Sequence, residues 1–247
     1  MKAIILAAGR GSRMHEGTKD IPKCMMRVHG KTLLERCLES LRLSGFNNKD
    51  IAIVTGYKNE IIENTIGDDI TFFHNDIWDK TNMVYSLTKA ESWLTNNECC
   101  VFYSDIIFSP EAVKRTMSIK GDIVIPYYTE YLNLWKMRFD NPLEDLETFK
   151  TDGNDCLINI GSRPTSYDQV HGQYMGIVKL TPRGWSLFIN SVSKTTKTIE
   201  KIDMTSLLAG TINNNHTIKC VACSELWLEC DNLNDISVYE SHYNDIL

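Results

Sequence analysis

The sequence predicts an α/β fold, built on a Rossmann-like, doubly wound sheet that is mostly parallel. Short β-branched apolar segments alternate with amphipathic helical patterns through the first half of the chain. Such alternation needs crossover connections, which favour parallel strands with helices on both faces. The length of 247 residues fits one domain over 1–247. We expect its ligand site beyond the carboxyl ends of the strands.

Five segments of the first half have the composition of buried strands. They lie at residues 2–8, 51–55, 70–74, 98–103 and 122–127. The first predicted helix, 32–44, opens with the capping box Thr32-x-x-Glu35 and stops at Gly45. Further helices are predicted after Asn82 and at the Ser109-Pro110 pair.

The second half of the chain breaks this alternation. Residues 129–170 are polar and show only short strand-like runs such as 156–160, so we predict an insertion within the one domain. The pattern then resumes with a strand at 173–180, a helix from Thr181-Pro182, a helix at 204–210, strand-like runs at 217–222 and 226–230, and a last helix after Asn232.

Composition excludes several classes of protein. The 26 Lys and Arg against 32 Asp and Glu give a net charge of −6, which argues against nucleic-acid binding through a basic face. No apolar run approaches the roughly 18 residues that span a bilayer, so no membrane insertion is predicted. Eight irregularly spaced cysteines argue against a disulfide framework and for a reducing, cytoplasmic compartment. The single CxxC pair, Cys220 and Cys223, lacks a second pair and favours a structural use.

A glycine loop follows the first predicted strand. Gly9 and Gly11 can bring backbone N–H groups close to a phosphate, because neither residue carries a Cβ. Four cations lie within fifteen residues of this turn, and they suit a triphosphate: Arg10, Arg13, Lys19 and Lys23. A plain tight turn with solvated basic residues is the alternative.

Two other phosphate-binding loops do not match. A dinucleotide fingerprint needs glycine where Met14 stands, and an acidic residue after the second strand, where Thr55-Gly56-Tyr57 stands. A Walker loop needs Gly-Lys-Ser/Thr, which is absent from the sequence.

The loop LAAGRGSRM, followed by TKDIPK, resembles the signature of the nucleotidyltransferases that activate sugar phosphates and phosphocholine. Residues 81–87 resemble the Asn-x-x-Tyr-Ser-Leu helix start of phosphocholine cytidylyltransferases. Asp105 occupies the position of their strand-end metal aspartate, and Glu229-Cys230-Asp231 resembles their late Glu-x-Asp, which supplies the second metal carboxylate. The resemblance follows the order of elements along nearly the whole chain and implies a glycosyltransferase A-like fold.

Three further stretches narrow the resemblance. Trp135-x-x-Arg138-Phe139, residues 141–145 and residues 172–176 are similar to cytidylyltransferases of phosphonate and capsule pathways. Those enzymes act on 2-aminoethylphosphonate or on a phosphorylated amino acid, in the biosynthesis of capsule or cell-surface polysaccharide. The resemblance implies CTP and a small phosphorylated or phosphonylated acceptor as partners, Mg²⁺ as the cofactor, and allows a homodimer.

The resemblance also implies roles for individual residues. Lys23 and Arg13 would stabilise charge on the phosphates, while Asp105, Asp231 and Glu229 would hold Mg²⁺. The acceptor brings its own nucleophilic oxygen, so no general base is needed. The predicted nucleotide-binding residues are Leu6, Ala7, Ala8, Gly9, Arg10, Gly11, Ser12, Asn82 and Ser104. The predicted acceptor-binding residues are Tyr85, Trp135, Lys136, Arg138, Gln173 and Tyr174.

Several alternatives stay open at this point. A nucleotidyltransferase for a hexose 1-phosphate, using UTP, dTTP or GTP, would share the loop and the lysine. A non-catalytic nucleotide sensor would keep the loop without turnover, and an A-type glycosyltransferase would share a nucleotide-binding half and a metal aspartate. Asp231 and Asn82 can instead be helix caps, and Trp135 can serve only to pack the insertion onto the sheet. The polar content of the insertion favours a primary ammonium or amino-acid head group over phosphocholine.

Overall fold

The computed structural model describes residues 1–67 and 69–243. In that part of the chain the strands are β1 (Lys2–Ala7), β2 (Arg27–Val28), β3 (Lys31–Thr32), β4 (Ile51–Thr55), β5 (Thr71–His74), β6 (Cys99–Tyr103), β7 (Ile106–Phe108), β8 (Ile123–Tyr128), β9 (Phe149–Thr151), β10 (Leu157–Ile160), β11 (Gln173–Tyr174), β12 (Ile177–Leu180), β13 (Lys219–Cys223) and β14 (Trp227–Glu229). The helices are α1 (Leu33–Leu43), α2 (Asn59–Ile66), α3 (Met83–Thr88), α4 (Glu91–Leu94), α5 (Pro110–Ser118), α6 (Tyr131–Arg138), α7 (Pro182–Val192), α8 (Met204–Asn213) and α9 (Leu233–His242).

The central sheet has the strand order β11-β8-β12-β6-β1-β4-β5, with β13 beside β8. Strand β1 pairs in parallel with β4 and β6, β4 with β5, and β8 with β13. Strand β12 runs antiparallel between β6 and β8, and β11 is antiparallel to β8. The sheet is mixed but mostly parallel, which confirms the predicted fold class.

Strand β1 lies in the middle of this sheet and is covered on both faces. Its side chains alternate between two hydrophobic cores, with Ala3, Ile5 and Ala7 in one and Ile4 and Leu6 in the other. A strand buried on both faces reads as a continuous apolar run, which is why the sequence revealed it clearly.

The predicted helix boundaries rest on local hydrogen bonds that the structure contains. Thr32 Oγ1 accepts from the Glu35 backbone N–H at 3.0 Å, and the Glu35 carboxylate accepts from the Thr32 N–H at 2.7 Å, which confirms the capping box. Asn82 caps α3 by accepting from the Met83 N–H at 2.7 Å. Ser109 and Thr181 cap α5 and α7, each followed by a first-turn proline.

Residues 129–170, predicted to be an insertion, have more structure than predicted. They contain the hairpin β9–β10 and also α6, which the sequence did not predict. The buried residues of α6 are Tyr131, Leu134, Trp135 and Arg138, at helical spacing. An arginine occupies the last position of that buried stripe, so the sequence does not show a complete apolar face at helical spacing.

The predicted continuous strand 173–180 is wrong. It is split into β11 and β12 by Met175 and Gly176. Gly176 has φ +71°, and a Cβ there would lie 2.8 Å from the ring of Tyr103. The break between β11 and β12 therefore requires glycine at position 176. The absence of a side chain there leaves room for the Tyr103 ring to pack against the Gly176 backbone.

The structure also shows the state of the cysteines and the length of the helices. All eight cysteines are free, and burial raises the pKa of the Cys223 thiol to about 12. Within residues 1–67 and 69–243, no helix is both long and apolar enough to cross a membrane.

Candidate active site

The glycine loop lies at the carboxyl end of β1, in the middle of the sheet. Gly11 has φ +74°, and a Cβ at this position would lie 2.7 Å from Cβ of Lys23. The Gly11 carbonyl accepts from the Met14 N–H at 2.9 Å and from Thr18 Oγ1 at 3.0 Å. Met14 is fully buried and so anchors the chain after the loop. Gly11 thus lets Lys23 pack directly against the loop backbone.

Two distant aspartates meet beside this loop. Asp105 follows β6, and Asp231 follows β14. Strand β14 pairs antiparallel with β7, with Glu229 opposite Ile106, and the Cys230 N–H donates to the Asp105 carbonyl at 2.9 Å. This short two-stranded sheet brings the two carboxylates to one place.

Lys23 links the two carboxylates. Its Nζ lies 2.5 Å from Asp105 Oδ2 and 3.1 Å from Asp231 Oδ1, and Arg13 Nη2 lies 3.0 Å from the same Asp231 oxygen. Burial lowers the pKa of Lys23, but the charges of Asp105 and Asp231 outweigh it, so this pKa is raised and Lys23 stays an ammonium ion. Burial raises the pKa of Asp231, but Lys23 and Arg13 outweigh it and keep the carboxyl ionised.

The two aspartates fit a hard divalent cation. Both carboxylates contact one Nζ, so their oxygens lie within reach of a single positive centre, and ionised carboxylate oxygens are ligands that Mg²⁺ prefers. Over the described residues, no group of three or more His, Cys, Asp or Glu side chains is arranged to hold a metal. The pair would therefore need further ligands from phosphates and water.

Glu229 has a different environment from the aspartates. Burial, and then the charge of Asp231, raise its pKa to about 8. Its carboxylate lies 3.8 Å from Nη1 of Arg138. Its role as a third metal ligand stays a prediction.

Arg138 lies behind the aspartates, with a side chain that is 0% exposed. Its Nε and Nη2 donate to the two carboxylate oxygens of Asp235 at 2.9 and 3.1 Å, and Nη2 lies 3.6 Å from Asp231 Oδ2. The same Asp235 carboxylate accepts from the N–H groups of Asp231 and Asn232 at 2.7 and 3.1 Å. The prediction that Arg138 faces the acceptor is wrong, because the fork that would bind an anion is buried and already paired.

The start of α9 also settles one alternative. Asn232, and not Asp231, is the N-cap, because its side chain accepts from the Asp235 N–H at 3.1 Å. Asp231 is left with its carboxylate directed to Lys23 and Arg13.

We expect Arg138→Met to lower the free energy of unfolding by about 3–5 kcal/mol, because it leaves the buried Asp235 carboxylate without its counter-charge. Urea unfolding followed by circular dichroism measures this change. The matched control is Arg183→Met, since Arg183 is 78% exposed and pairs with Asp122 at 3.5 Å. This control should unfold near the wild-type urea concentration. An Arg138→Met protein as stable as the control would contradict the structural role of the buried pair.

Two clefts open at this cluster. The loop cleft is lined by Leu6, Ala8, Gly9, Gly11, Lys23, Trp78, Thr81, Asn82, Met83, Ser86, Tyr103, Ser104 and Asp105. The insertion cleft is lined by Arg13, Met83, Tyr103, Trp135, Asp145, Glu147, Gln173, Tyr174, Asp203, Met204, Thr205, Glu229 and Asp231. They share Met83 and Tyr103, and Lys23 joins the Asp105 of one to the Asp231 of the other.

The structure brings most of the predicted nucleotide-binding residues to the loop cleft. Three lie outside its lining: Ala7 is buried in the core beneath it, Arg10 lies over the ring of Tyr57 at 5.8 Å, and Ser12 begins a 3₁₀ turn. Five further residues line this cleft that were not predicted from the sequence: Trp78, Thr81, Met83, Ser86 and Tyr103. Ser86 lies one helical turn after Asn82, so that spacing was the available signal.

Three of the predicted acceptor-binding residues line the insertion cleft, namely Trp135, Gln173 and Tyr174. Lys136 is exposed and lies outside the lining of both clefts, as does Tyr85, whose ring lies 4.8 Å from the Lys89 ammonium. These two predictions are not supported, because neither side chain lines the loop cleft or the insertion cleft.

Trp135 combines the two roles that the sequence left as alternatives. It is 3% exposed and stacks on Trp227 with ring centres 6.1 Å apart, so it packs the insertion onto the core. Its Nε1 donates to Asp145 Oδ2 at 3.0 Å within the lining of the insertion cleft.

The insertion cleft is strongly acidic. Its lining contains Asp145, Glu147, Asp203, Glu229 and Asp231, against the single cation Arg13. Burial, and then Asp203 and Asp145, raise the pKa of Glu147. Burial also raises the pKa of Asp203, but hydrogen bonds from Lys197 and Ser206 outweigh it and lower this pKa to about 2. A cationic group placed here would relieve the repulsion among these carboxylates.

The known proteins that this chain resembles in sequence are nucleotidyltransferases. Residues 3–158 match the model of the MobA-like NTP transferase domain. The chain is 33% identical to CTP:phosphoglutamine cytidylyltransferase of Campylobacter jejuni, over 96% of this chain and 98% of that protein. It is 31% identical to choline-phosphate cytidylyltransferase of Haemophilus influenzae, over 66% of this chain and 64% of that protein.

Solved structures share the fold. The inositol-1-phosphate CTP transferase from T. maritima superposes with a TM-score of 0.74 at 22% identity, covering 97% of this chain and 96% of that chain. Apo UDP-glucose pyrophosphorylase superposes with a TM-score of 0.77 at 16% identity, over 100% of each chain.

Proposed function

Since this chain belongs to the MobA-like NTP transferase family and is a nucleotidyltransferase, we propose that it transfers a cytidylyl group from CTP to a small phosphorylated acceptor that carries an ammonium group. The phosphate or phosphonate oxygen of the acceptor attacks the α-phosphorus of CTP, forms the new P–O bond, and pyrophosphate leaves. One observation carries the proposal: Lys23, Asp105 and Asp231 meet at the junction of the loop cleft and the insertion cleft. The nucleotide then occupies the loop cleft, and the acceptor occupies the insertion cleft.

The residues at the junction supply charge and position. The backbone N–H groups of the glycine loop bind phosphate oxygens, and the Lys23 ammonium stabilises the charge that builds on the α-phosphate. Arg13 pairs with Asp231 through Nη2, but its side chain is 70% exposed, so the rest of its guanidinium can bind the leaving pyrophosphate. Asp105 and Asp231 would hold Mg²⁺, which when bound neutralises the repulsion between acceptor and nucleotide.

The acceptor is proposed to be a phosphorylated amino acid, with 2-aminoethylphosphonate as the second candidate. Support comes from the acidic lining of the insertion cleft and from a relative whose name gives phosphoglutamine as its substrate. A primary ammonium donates hydrogen bonds to carboxylates, whereas a quaternary ammonium cannot and is held by aromatic faces. The proposed role is in capsule or cell-surface polysaccharide biosynthesis, and the proposed location is the reducing cytoplasm, which the eight free cysteines support.

The test is a matrix of CTP, UTP, GTP and ATP against phosphoglutamine, 2-aminoethylphosphonate, phosphocholine and glucose 1-phosphate, with Mg²⁺ present and pyrophosphate release as the measurement. We expect CTP to be used at least about tenfold better than ATP or GTP, a preference of about 1.4 kcal/mol. An acceptor with a primary ammonium should outperform phosphocholine.

Other results would overturn parts of this assignment. Equal turnover with GTP would remove the cytidylyl specificity, and dominance of phosphocholine or glucose 1-phosphate would remove the proposed acceptor class. Nucleotide binding without pyrophosphate release from any pair would favour a non-catalytic sensor.

A further inference from the structure

A buried asparagine holds two hydroxyl groups on the wall of the loop cleft. Asn75 follows β5 and is 0% exposed. Its Nδ2 lies 2.9 Å from Thr81 Oγ1 and 3.0 Å from Ser86 Oγ. Thr81 and Ser86 both line the loop cleft, together with the glycine loop and Lys23. The side chain of Asn75 therefore fixes two polar groups that a bound nucleotide meets.

The orientation of the Asn75 amide follows from a backbone contact. The Ile77 N–H donates to Asn75 Oδ1 at 3.3 Å. A backbone N–H can only donate, so the amide oxygen must face Ile77 and the amide nitrogen must face the hydroxyls. The two N–H bonds of Asn75 then donate to Thr81 and Ser86, and both hydroxyls accept.

The protons of the two hydroxyls are directed to backbone carbonyls. Thr81 Oγ1 donates to the Ile77 carbonyl at 3.0 Å, and Ser86 Oγ donates to the Asn82 carbonyl at 3.4 Å. A hydroxyl has one proton and two lone pairs. With its proton and one lone pair engaged inside the protein, each hydroxyl retains one lone pair for a ligand. This wall of the cleft consequently presents hydrogen-bond acceptors.

Cytosine and uracil differ in the exocyclic group at C4, and only one of the two groups can donate a hydrogen bond to these acceptors. Cytosine carries an exocyclic amine at C4, which donates, whereas uracil carries a carbonyl oxygen there, which accepts. We propose that Thr81 and Ser86, oriented by Asn75, accept from the exocyclic amine of cytosine and set the preference for CTP over UTP. This inference rests on the proposed use of CTP, and it assigns that use to particular residues. Uracil would place its carbonyl oxygen against two lone pairs.

Nucleotide binding tests the inference without an acceptor. Isothermal titration of CTP and of UTP, with Mg²⁺ present, is carried out on the full chain, on Thr81→Val and on Ser86→Ala. Thr81→Val keeps the shape of the side chain and removes the acceptor. We expect CTP to bind up to about tenfold more weakly to Thr81→Val, while UTP binds no more weakly than before, so that the ratio of the two affinities narrows. Ser86→Ala should narrow the same ratio and is the second variant should Thr81→Val fold poorly.

Thr88→Val is the matched control. Thr88 lies on the same helix as Ser86, donates to the Tyr85 carbonyl at 2.6 Å and lines neither cleft. It should leave both affinities unchanged. A wild-type ratio of CTP to UTP affinity in both Thr81→Val and Ser86→Ala would overturn this inference and leave the proposed function standing. Equal binding of CTP and UTP by the unaltered chain would also overturn the inference, whereas the proposed use of CTP is judged by pyrophosphate release in the substrate matrix.

Discussion

Replacing Lys23 with alanine is expected to lower kcat about 10³-fold, because the ammonium stabilises charge that develops on the phosphate only as the reaction proceeds. Lys23→Met should have nearly the same effect. Its methylene stem still packs against Gly11, so this variant separates loss of charge from loss of packing. Pyrophosphate release at saturating CTP, with the best acceptor from the substrate matrix, measures kcat.

Lys31→Ala is the control for these variants. Lys31 also pairs with a carboxylate, that of Glu39 at 2.7 Å, but its side chain is half exposed and lines neither the loop cleft nor the insertion cleft. Its kcat should match the wild type. Turnover of Lys23→Met within a few-fold of this control would remove Lys23 from the chemistry and leave it as an internal counter-ion of the two aspartates.

Asp105→Asn and Asp231→Asn are each expected to lower kcat by at least about 10²-fold, because each removes one of the two charges proposed to hold Mg²⁺. The amide keeps the size of the side chain and an oxygen that accepts from Lys23, so the fold should persist. A higher Mg²⁺ concentration for half-maximal rate would accompany the loss.

Asp50→Asn controls for the loss of an ion-paired carboxylate elsewhere, since Asp50 pairs with Lys2 at 2.8 Å and lines neither cleft. Near-normal turnover of Asp231→Asn, with an unchanged Mg²⁺ requirement, would reassign Asp231 to stabilising the junction between β14 and α9.

The parts of the fold that the sequence predicted well are those with local causes. Strand β1 is apolar on both faces, and the start of α1 depends on a capping box that spans four residues. The glycine loop and Lys23 are close in sequence, so their proximity could be expected. Each of these signals is contained in a short window of the chain.

The parts that were missed depend on distant contacts. The α6 stripe ends in Arg138, whose buried charge is balanced by Asp235 and by the nearby Asp231 and Glu229, all far along the chain. Likewise, Asp203 belongs to the acidic lining of the insertion cleft because it caps the start of α8, which lies far along the chain from the other acidic residues of the insertion. Asn75 is a different case: its partners Thr81 and Ser86 are only six and eleven residues further along the chain, but no motif marks them, and the contact depends on the turn at Trp78–Lys80 that precedes α3. A local sequence pattern does not show which charged residues from distant parts of the chain form an ion pair.

The position of Arg138 sets a boundary for exchanging acceptor specificity between relatives. The cleft-lining residues Asp145, Glu147, Gln173 and Tyr174 follow it in the chain, whereas Arg138 itself belongs with Asp231 and Asp235. A chimera that takes residues 139–174 from a donor enzyme would change the proposed acceptor site and keep the recipient's arginine with its own aspartates. A crossover placed before α6 would transplant half of a buried ion pair. The resulting hybrid would tend to fail in folding before its substrate preference could be measured.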